Sequence, residues 1–272
     1  MLKTRIITAL LLLGGLLAAV FLLPALGWLL FCAVLGALAA WEWGGLSRFA
    51  TPLRAVYALA IAATCLLLGG MAGLGGNTGM PAVLWLPYAL AALFWLLCVP
   101  FWLRAKWQLG RGAAAVVVGI VVLVPPALAL AHLRELGPWL LLAALAVCWV
   151  ADIAAYFAGR RFGRRKLAPA ISPGKTWEGA WGAVAGVLVY GLSALWLLFA
   201  PAASGLLAVV PALLLLTALS IIGDLFESLL KRQAGIKDSG SLLPGHGGIL
   251  DRIDSLTSTL PLLGLAALWF AR

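Results

Sequence analysis

Long unbroken apolar runs dominate this chain, and Ile6–Leu23 and Ala113–Ala131 are two of them. A run of roughly 20 residues is what an α-helix needs to cross a hydrocarbon core about 30 Å thick. A membrane β-strand instead alternates apolar and polar residues over roughly 10 positions, and these runs do not alternate. They predict an all-α integral membrane protein, a polytopic helix bundle. Composition closes off the alternatives. Of 272 residues, 64% are hydrophobic and 10% are charged, whereas soluble domains carry roughly 25% charged residues. A soluble globule of this size has no interior large enough to hide that much apolar surface. The same numbers exclude a disordered chain and a disulfide-rich secreted scaffold.

The spans read as Ile6–Leu23, Leu26–Gly45, Leu53–Met71, Pro81–Leu103, Ala113–Ala131, Pro138–Ala158, Trp177–Ala200, Leu206–Leu230 and Ile253–Ala271. Nine crossings put the termini on opposite sides. Of the 19 Lys and Arg residues, all but Arg134 and Arg272 then fall on one side. Basic loops stay in the cytoplasm, so the N-terminus is expected to be cytoplasmic. Lys3 and Arg5 before the first run resemble a secretory signal, but the many spans that follow read it as an uncleaved first helix. The net charge of +10 is thus mostly a topology signal, and no nucleic-acid partner is expected. Cys32, Cys65, Cys98 and Cys148 lie far apart inside apolar runs and read as small buried hydrophobes. Two loops on the basic side are long and polar, Gly159–Thr176 and Lys231–Arg252. The expected division is residues 1–145 as transmembrane scaffold, with a lipid cavity or dimer contacts, and residues 146–272 as the catalytic region.

The acids mark that region. Of the nine Asp and Glu residues, all but Glu42 and Glu135 lie between Asp152 and Asp254. An ionisable group within a membrane span is expensive and marks a functional site by default. On a helix Asp224, Glu227, Ser228 and Lys231 form one polar stripe, with Asp224 about 10 Å deeper than Lys231. The bland reading is an internally satisfied acid–lysine seam. Asp251, Asp254, Ser255 and Ser258 repeat the spacing on the last span, where Asp251 also suits an N-cap. Between them, Gly247 and Gly248 leave backbone N–H groups free to approach a phosphate. Acids without Cys or His clusters favour Mg²⁺ over zinc. Upstream, Asp152 and Tyr156 share a helix face. Arg160–Lys166 reads as a positive-inside cluster on its own, and its nearness to Ser172–Glu178 raises phosphate binding. Gly174-Lys175-Thr176 is not a P-loop, because the first glycine of that motif falls on Pro169 and no strand precedes it. Glu42 reads as a buried polar contact.

From Ser228 to Asp254 the chain carries Ser228, Lys231-Arg232, Lys237-Asp238, His246-Gly247-Gly248, Asp251-Arg252 and Asp254. This resembles the signature of the phosphatidate cytidylyltransferases, the CDP-diacylglycerol synthases. Gly223-Asp224-Leu-Phe-Glu227, Asp152 and Ser172-Pro-Gly-Lys175-Thr-Trp-Glu178-Gly also fit that family. The resemblance implies transfer from CTP to phosphatidate, giving CDP-diacylglycerol and pyrophosphate, at the cytoplasmic face of a bacterial inner membrane. It implies Mg²⁺, with K⁺ as a second cation, and two-fold assembly. The expected roles follow from it. Asp224, Asp251 and Asp254 hold metal. Lys231, Arg232, Lys237 and Arg252 neutralise phosphates, and His246, Gly247 and Gly248 contact them. Ser228 orients a ligand. Asp238, Asp152, Ser172 and Lys175 contact substrate.

Three other readings compete. Intramembrane acids also serve ion- or proton-coupled transporters, yet here they gather at one face, without an inverted repeat. Membrane prenyltransferases carry paired D-D-x-x-D boxes, absent from this chain. The nearest alternative is a cytidylyltransferase acting on a different lipid phosphate.

Overall fold

The computed structural model describes residues 2–110, 112–199 and 203–270. Arg111, Arg272 and the side chains of Lys3 and Arg5, counted above among the basic charges, lie outside the described residues. So do the span ends Ala200 and Ala271. The described chain is a helix bundle with one small hairpin. Its elements are α1 (Leu2–Leu22), α2 (Ala25–Leu46), α3 (Thr51–Ala72), α4 (Trp85–Leu93), α5 (Val99–Ala105), α6 (Ala113–Leu136), α7 (Pro138–Phe162), β1 (Lys166–Ala168), β2 (Ser172–Thr176), α8 (Trp177–Phe199), α9 (Ala203–Ala234) and α10 (Leu250–Phe270). A 3-10 turn at Pro81–Leu84 leads into α4 and a π turn at Phe94–Cys98 joins α4 to α5, making one rod, Pro81–Ala105. Eight of these helical segments are long and apolar enough to cross a membrane, and Ile6–Leu22 is a shorter ninth. The sequence-derived spans match them one for one.

The helix ends follow from local chemistry. Proline opens α7 and stands in the first turn of α3, where its missing N–H is not needed. Gly73, at φ 90, closes α3 in the left-handed conformation. Arg134 of α6 donates to the carbonyls of Val20 (2.9 Å) and Leu23 and stacks over Trp28. A cation there complements the negative end of α1.

The bundle has two buried regions. The larger joins α2, α3, α4, α6 and α10, with Trp28, Trp43, Tyr88 and Trp95 at its centre. The smaller lies between α7, α8 and α9, around Val147, Ala151, Val187 and Leu213. Helix α8 lies close along α7 because small residues meet there: a Cβ on Gly186 would sit 2.6 Å from the Ala154 Cβ. Leu11, Leu22, Leu59 and Leu197 stay exposed on the outer faces, which a soluble protein would not tolerate over such an extent.

Helix α9 carries the polar stripe and is anchored by one residue of its other side. Phe226 is buried edge-on against Phe94, Trp95 and Trp102, at centroid separations of 5.4–5.8 Å. Its neighbours Asp224 and Glu227 are thereby turned toward α10 and the hairpin. Phe226→Ala is expected to lower stability by about 3 kcal/mol through the cavity it leaves, read as a drop in the thermal unfolding midpoint of purified protein in detergent.

Candidate active site

Four pieces of chain meet at one end of α9. The first is α9 itself. Ser228 Oγ donates to Asp224 Oδ1 at 3.2 Å, and Lys231 Nζ pairs with Glu227 Oε2 at 2.8 Å. The acid–lysine seam read from the spacing therefore exists, but it does not end within α9.

The second piece is the start of α10. Lys231 Nζ also pairs with Asp251 Oδ1 at 2.6 Å. The three side chains are well buried, at 12% exposure for Lys231, 9% for Glu227 and 5% for Asp251. The other Asp251 oxygen accepts the N–H groups of Ser239 (2.9 Å) and Gly248 (2.8 Å). Helix α10 begins at Leu250, so Asp251 sits within the first turn rather than at the N-cap position. Its carboxylate reaches back to tie the preceding loop down. Asp254, one turn further, accepts the neighbouring Ser255 N–H. With Glu227 it lines a small cleft where α10 meets α9.

The third piece is the polar segment after α7, which folds into an antiparallel hairpin pairing Lys166 with Thr176 and Ala168 with Ser172. Glu178, in the first turn of α8, accepts the N–H groups of Arg164 (3.0 Å) and Arg165 (3.2 Å). Thr176 Oγ1 accepts the Gly179 N–H. These bonds close the hairpin onto the start of α8 and aim Lys175 at Asp224, with which it forms an ion pair. The fourth piece is α7, which presents Asp152 and Tyr156.

A cavity of about 500 Å³ lies between α7, α8, α9 and the hairpin. Asp152, Tyr156, Arg160, Ser172, Lys175 and Asp224 supply its polar groups, and Ala151, Ala155, Gly159, Gly179 and Ala183 supply small walls. Arg160 donates to the Tyr156 hydroxyl at 2.9 Å. Alanine and glycine walls leave room, and the cations Arg160 and Lys175 are of the kind that bind phosphates. From residue 3 to residue 270 the sequence matches a family described as the cytidylyltransferases.

This chain belongs to the cytidylyltransferase family. It is 41% identical to the phosphatidate cytidylyltransferase of Pseudomonas aeruginosa over 276 residues, which cover 100% of this chain and 98% of that protein. The phosphatidate cytidylyltransferase of Brucella suis is 40% identical over 274 residues, covering 99% of this chain and 94% of its own length. That of Haemophilus influenzae is 33% identical over 280 residues, with 96% of each chain covered. The likeness therefore includes the N-terminal helices as well as the site.

The cytidylyltransferase signature is not all drawn to one point. Asp152, Ser172, Lys175 and Asp224 line the cavity, while Ser228, Lys231, Asp251 and Asp254 stand beside it on α9 and α10. Arg232 is not among the cavity-lining residues, and donates to the carbonyls of Ile171 in the hairpin turn (3.4 Å) and Ile236 (3.5 Å). Lys237, Asp238 and Arg252 are exposed. His246 lies in a turn closed by its N–H on the Leu243 carbonyl, and its Nδ1 is buried without a hydrogen-bond partner. Gly247, at φ 81, needs its freedom, since a Cβ there would fall 2.6 Å from the Asp251 carboxylate. The expected site residues omit Glu227, Glu178 and Arg160. Glu227 was visible as the second member of the α9 stripe and Glu178 as the acid opening a span, but the contacts that give them work depend on other elements. Lys231→Met strands two buried carboxylates. It is expected to lower stability by about 3–5 kcal/mol, and adding Glu227→Gln should recover part of that loss, both read as unfolding midpoints in detergent.

Proposed function

We propose that this protein is an integral membrane phosphatidate cytidylyltransferase, joining CTP and phosphatidate to give CDP-diacylglycerol and pyrophosphate. The observation that carries the reading is the cavity where Lys175 meets Asp224, with the Lys231–Asp251 pair beside it. Its cations suit phosphates, and its carboxylates do not suit them unless more positive charge arrives with the substrate. The basic loops point to a cytoplasmic site in a bacterial inner membrane, where soluble CTP meets a lipid headgroup at the interface.

A divalent cation fits that requirement. Among the described residues no three His, Cys, Asp or Glu side chains already stand as a ligand set, and Asp224 and Asp251 are paired with Lys175 and Lys231. Yet carboxylates outnumber the lysines, and Glu227 Oε1 is buried without a partner. All-oxygen donors of this kind favour Mg²⁺ over zinc. Asp224, Asp251 and Asp254 would hold it, with K⁺ as a second cation. When bound it neutralises charge on the triphosphate.

The chain's own residues do the rest. A phosphatidate oxygen attacks the α-phosphorus of CTP, a new P–O bond forms, and the bond to the β-phosphate oxygen breaks as pyrophosphate leaves. The attacking oxygen is already ionised, so no strong general base is required. Catalysis is then positioning plus charge neutralisation. Lys175 and Arg160 reach into the cavity to bind phosphate, and Ser172 offers a hydroxyl. Lys231, Arg232, Lys237 and Arg252 neutralise the lipid phosphate and the departing pyrophosphate. His246 and the Gly247–Gly248 backbone contact phosphate, Ser228 orients Asp224, and Asp152 and Asp238 contact substrate. Residues 1–145 serve as scaffold.

Purified protein should release pyrophosphate only when given CTP, phosphatidate and Mg²⁺ together, and not with ATP, GTP or UTP. Release without phosphatidate, or ion flux in liposomes independent of CTP, overturns the reading. Asp224→Asn should lower turnover by at least about 100-fold with size-exclusion behaviour unchanged, and near-normal turnover removes Asp224 from the chemistry.

A further inference from the structure

Glu42 is the one acid of the N-terminal helices placed at the site. It lies on α2, is 1% exposed, and pairs with no cation among the described residues. An uncompensated buried carboxylate is costly, so its hydrogen bonds show what it is for. Oε1 accepts the Ile249 N–H at 3.0 Å. Oε2 accepts the Leu250 N–H at 2.9 Å and the Ser239 hydroxyl at 3.0 Å. Ile249 and Leu250 are where α10 starts, and the N–H groups of a helix start have no partner within the helix. The Glu42 charge also sits at the positive end of the α10 dipole. A residue distant in sequence thus caps the helix that carries Asp251 and Asp254.

Ser239 is held twice. Its hydroxyl goes to Glu42 and its N–H to Asp251 Oδ2. Gly248 likewise donates its N–H to Asp251 and passes over Glu42 so closely that a Cβ would lie 2.6 Å from the Glu42 Cδ. At Gly240 the same distance would be 2.8 Å. The loop between α9 and α10 is therefore clamped between two carboxylates, one on each side. Asp251 in turn holds Lys231. A shift of Glu42 moves the loop, and a shift of the loop moves Asp251 and Lys231.

We infer that Glu42 is a positioning residue for cytidylyl transfer, touching no substrate and holding the 239–250 loop so that Asp251 and Lys231 keep their places. This rests on the cytidylyltransferase reading above. Glu42→Gln keeps the shape, removes the charge, and turns an NH₂ toward N–H groups that need an acceptor. It should lower kcat by about 10- to 100-fold, as for residues that orient ligating groups, with KM for CTP and phosphatidate within about threefold. Glu42→Asp keeps the charge and should recover part of the rate. Hydrogen–deuterium exchange supplies a readout that needs no substrate. Amides of 237–252 should exchange at least about 10-fold faster in Glu42→Gln, with α3 and α6 unchanged.

Wild-type kcat with an unchanged loop overturns the inference, and so does faster exchange spread evenly over the whole bundle. If Glu42→Gln does not fold, Ser239→Ala decides. It removes one of three donors and should speed loop exchange and lower kcat by about threefold, whereas wild-type values for both overturn the inference. A wild-type protein inactive with CTP and phosphatidate defeats the cytidylyltransferase reading, while the exchange result still reports the hold of Glu42 on the loop.

Discussion

One ammonium group, that of Lys231, is shared by carboxylates of two helices, Glu227 on α9 and Asp251 on α10. In a weakly polar interior, charges of opposite sign cannot be separated cheaply. The pair therefore fixes how α10 enters the bundle relative to α9. That register sets the rest. With Asp251 committed to Lys231 through one oxygen, the other is left to gather the Ser239 and Gly248 N–H groups, and the connecting loop folds back over the helix start. Buried ion pairs of this kind contribute little net stability against an apolar replacement, but breaking one by removing a single partner is costly because the other charge is left buried and unpaired.

The cavity beside this pair depends on two further constraints. Small residues let α7 and α8 approach closely, and the same small residues leave open space where the helices part near the hairpin. The hairpin then has to carry Lys175 across to Asp224. It is shaped by backbone hydrogen bonds to Glu178 and a cap from Thr176, which is why a segment so rich in Arg and Lys keeps a defined form. Charge that read as topology thus also builds the wall of a site.

Much of this was legible beforehand. The spans follow from apolar run length, because backbone groups in hydrocarbon must bond within their own segment and only a helix does that. The α9 stripe follows from helical spacing alone. Other features were not legible. The Gly159–Thr176 segment reads as a loop in the sequence, yet it holds the end of α7 and a hairpin, because short paired strands depend on closure by Glu178 rather than on their own pattern. Asp251 suits a cap by its sequence position, yet the helix starts one residue before it and the capping charge comes from Glu42 on α2. The Lys175–Asp224 pair joins residues on different elements, and spacing carries no information about such a contact.

The amino-acid sequence by itself determined that this chain is a membrane helix bundle, which residues lie on one face of α9 and of α10, and which family it resembles. These are local properties, set by run length, helical period and motif spacing. Only the tertiary structure decided which acid holds which base, that Lys231 serves two helices, and that Glu42 braces the loop from the far end of the chain. The physical reason is that a buried charge takes whatever partner the folded chain brings within hydrogen-bond distance. That distance is set by how helices pack, and not by how far apart residues stand in sequence.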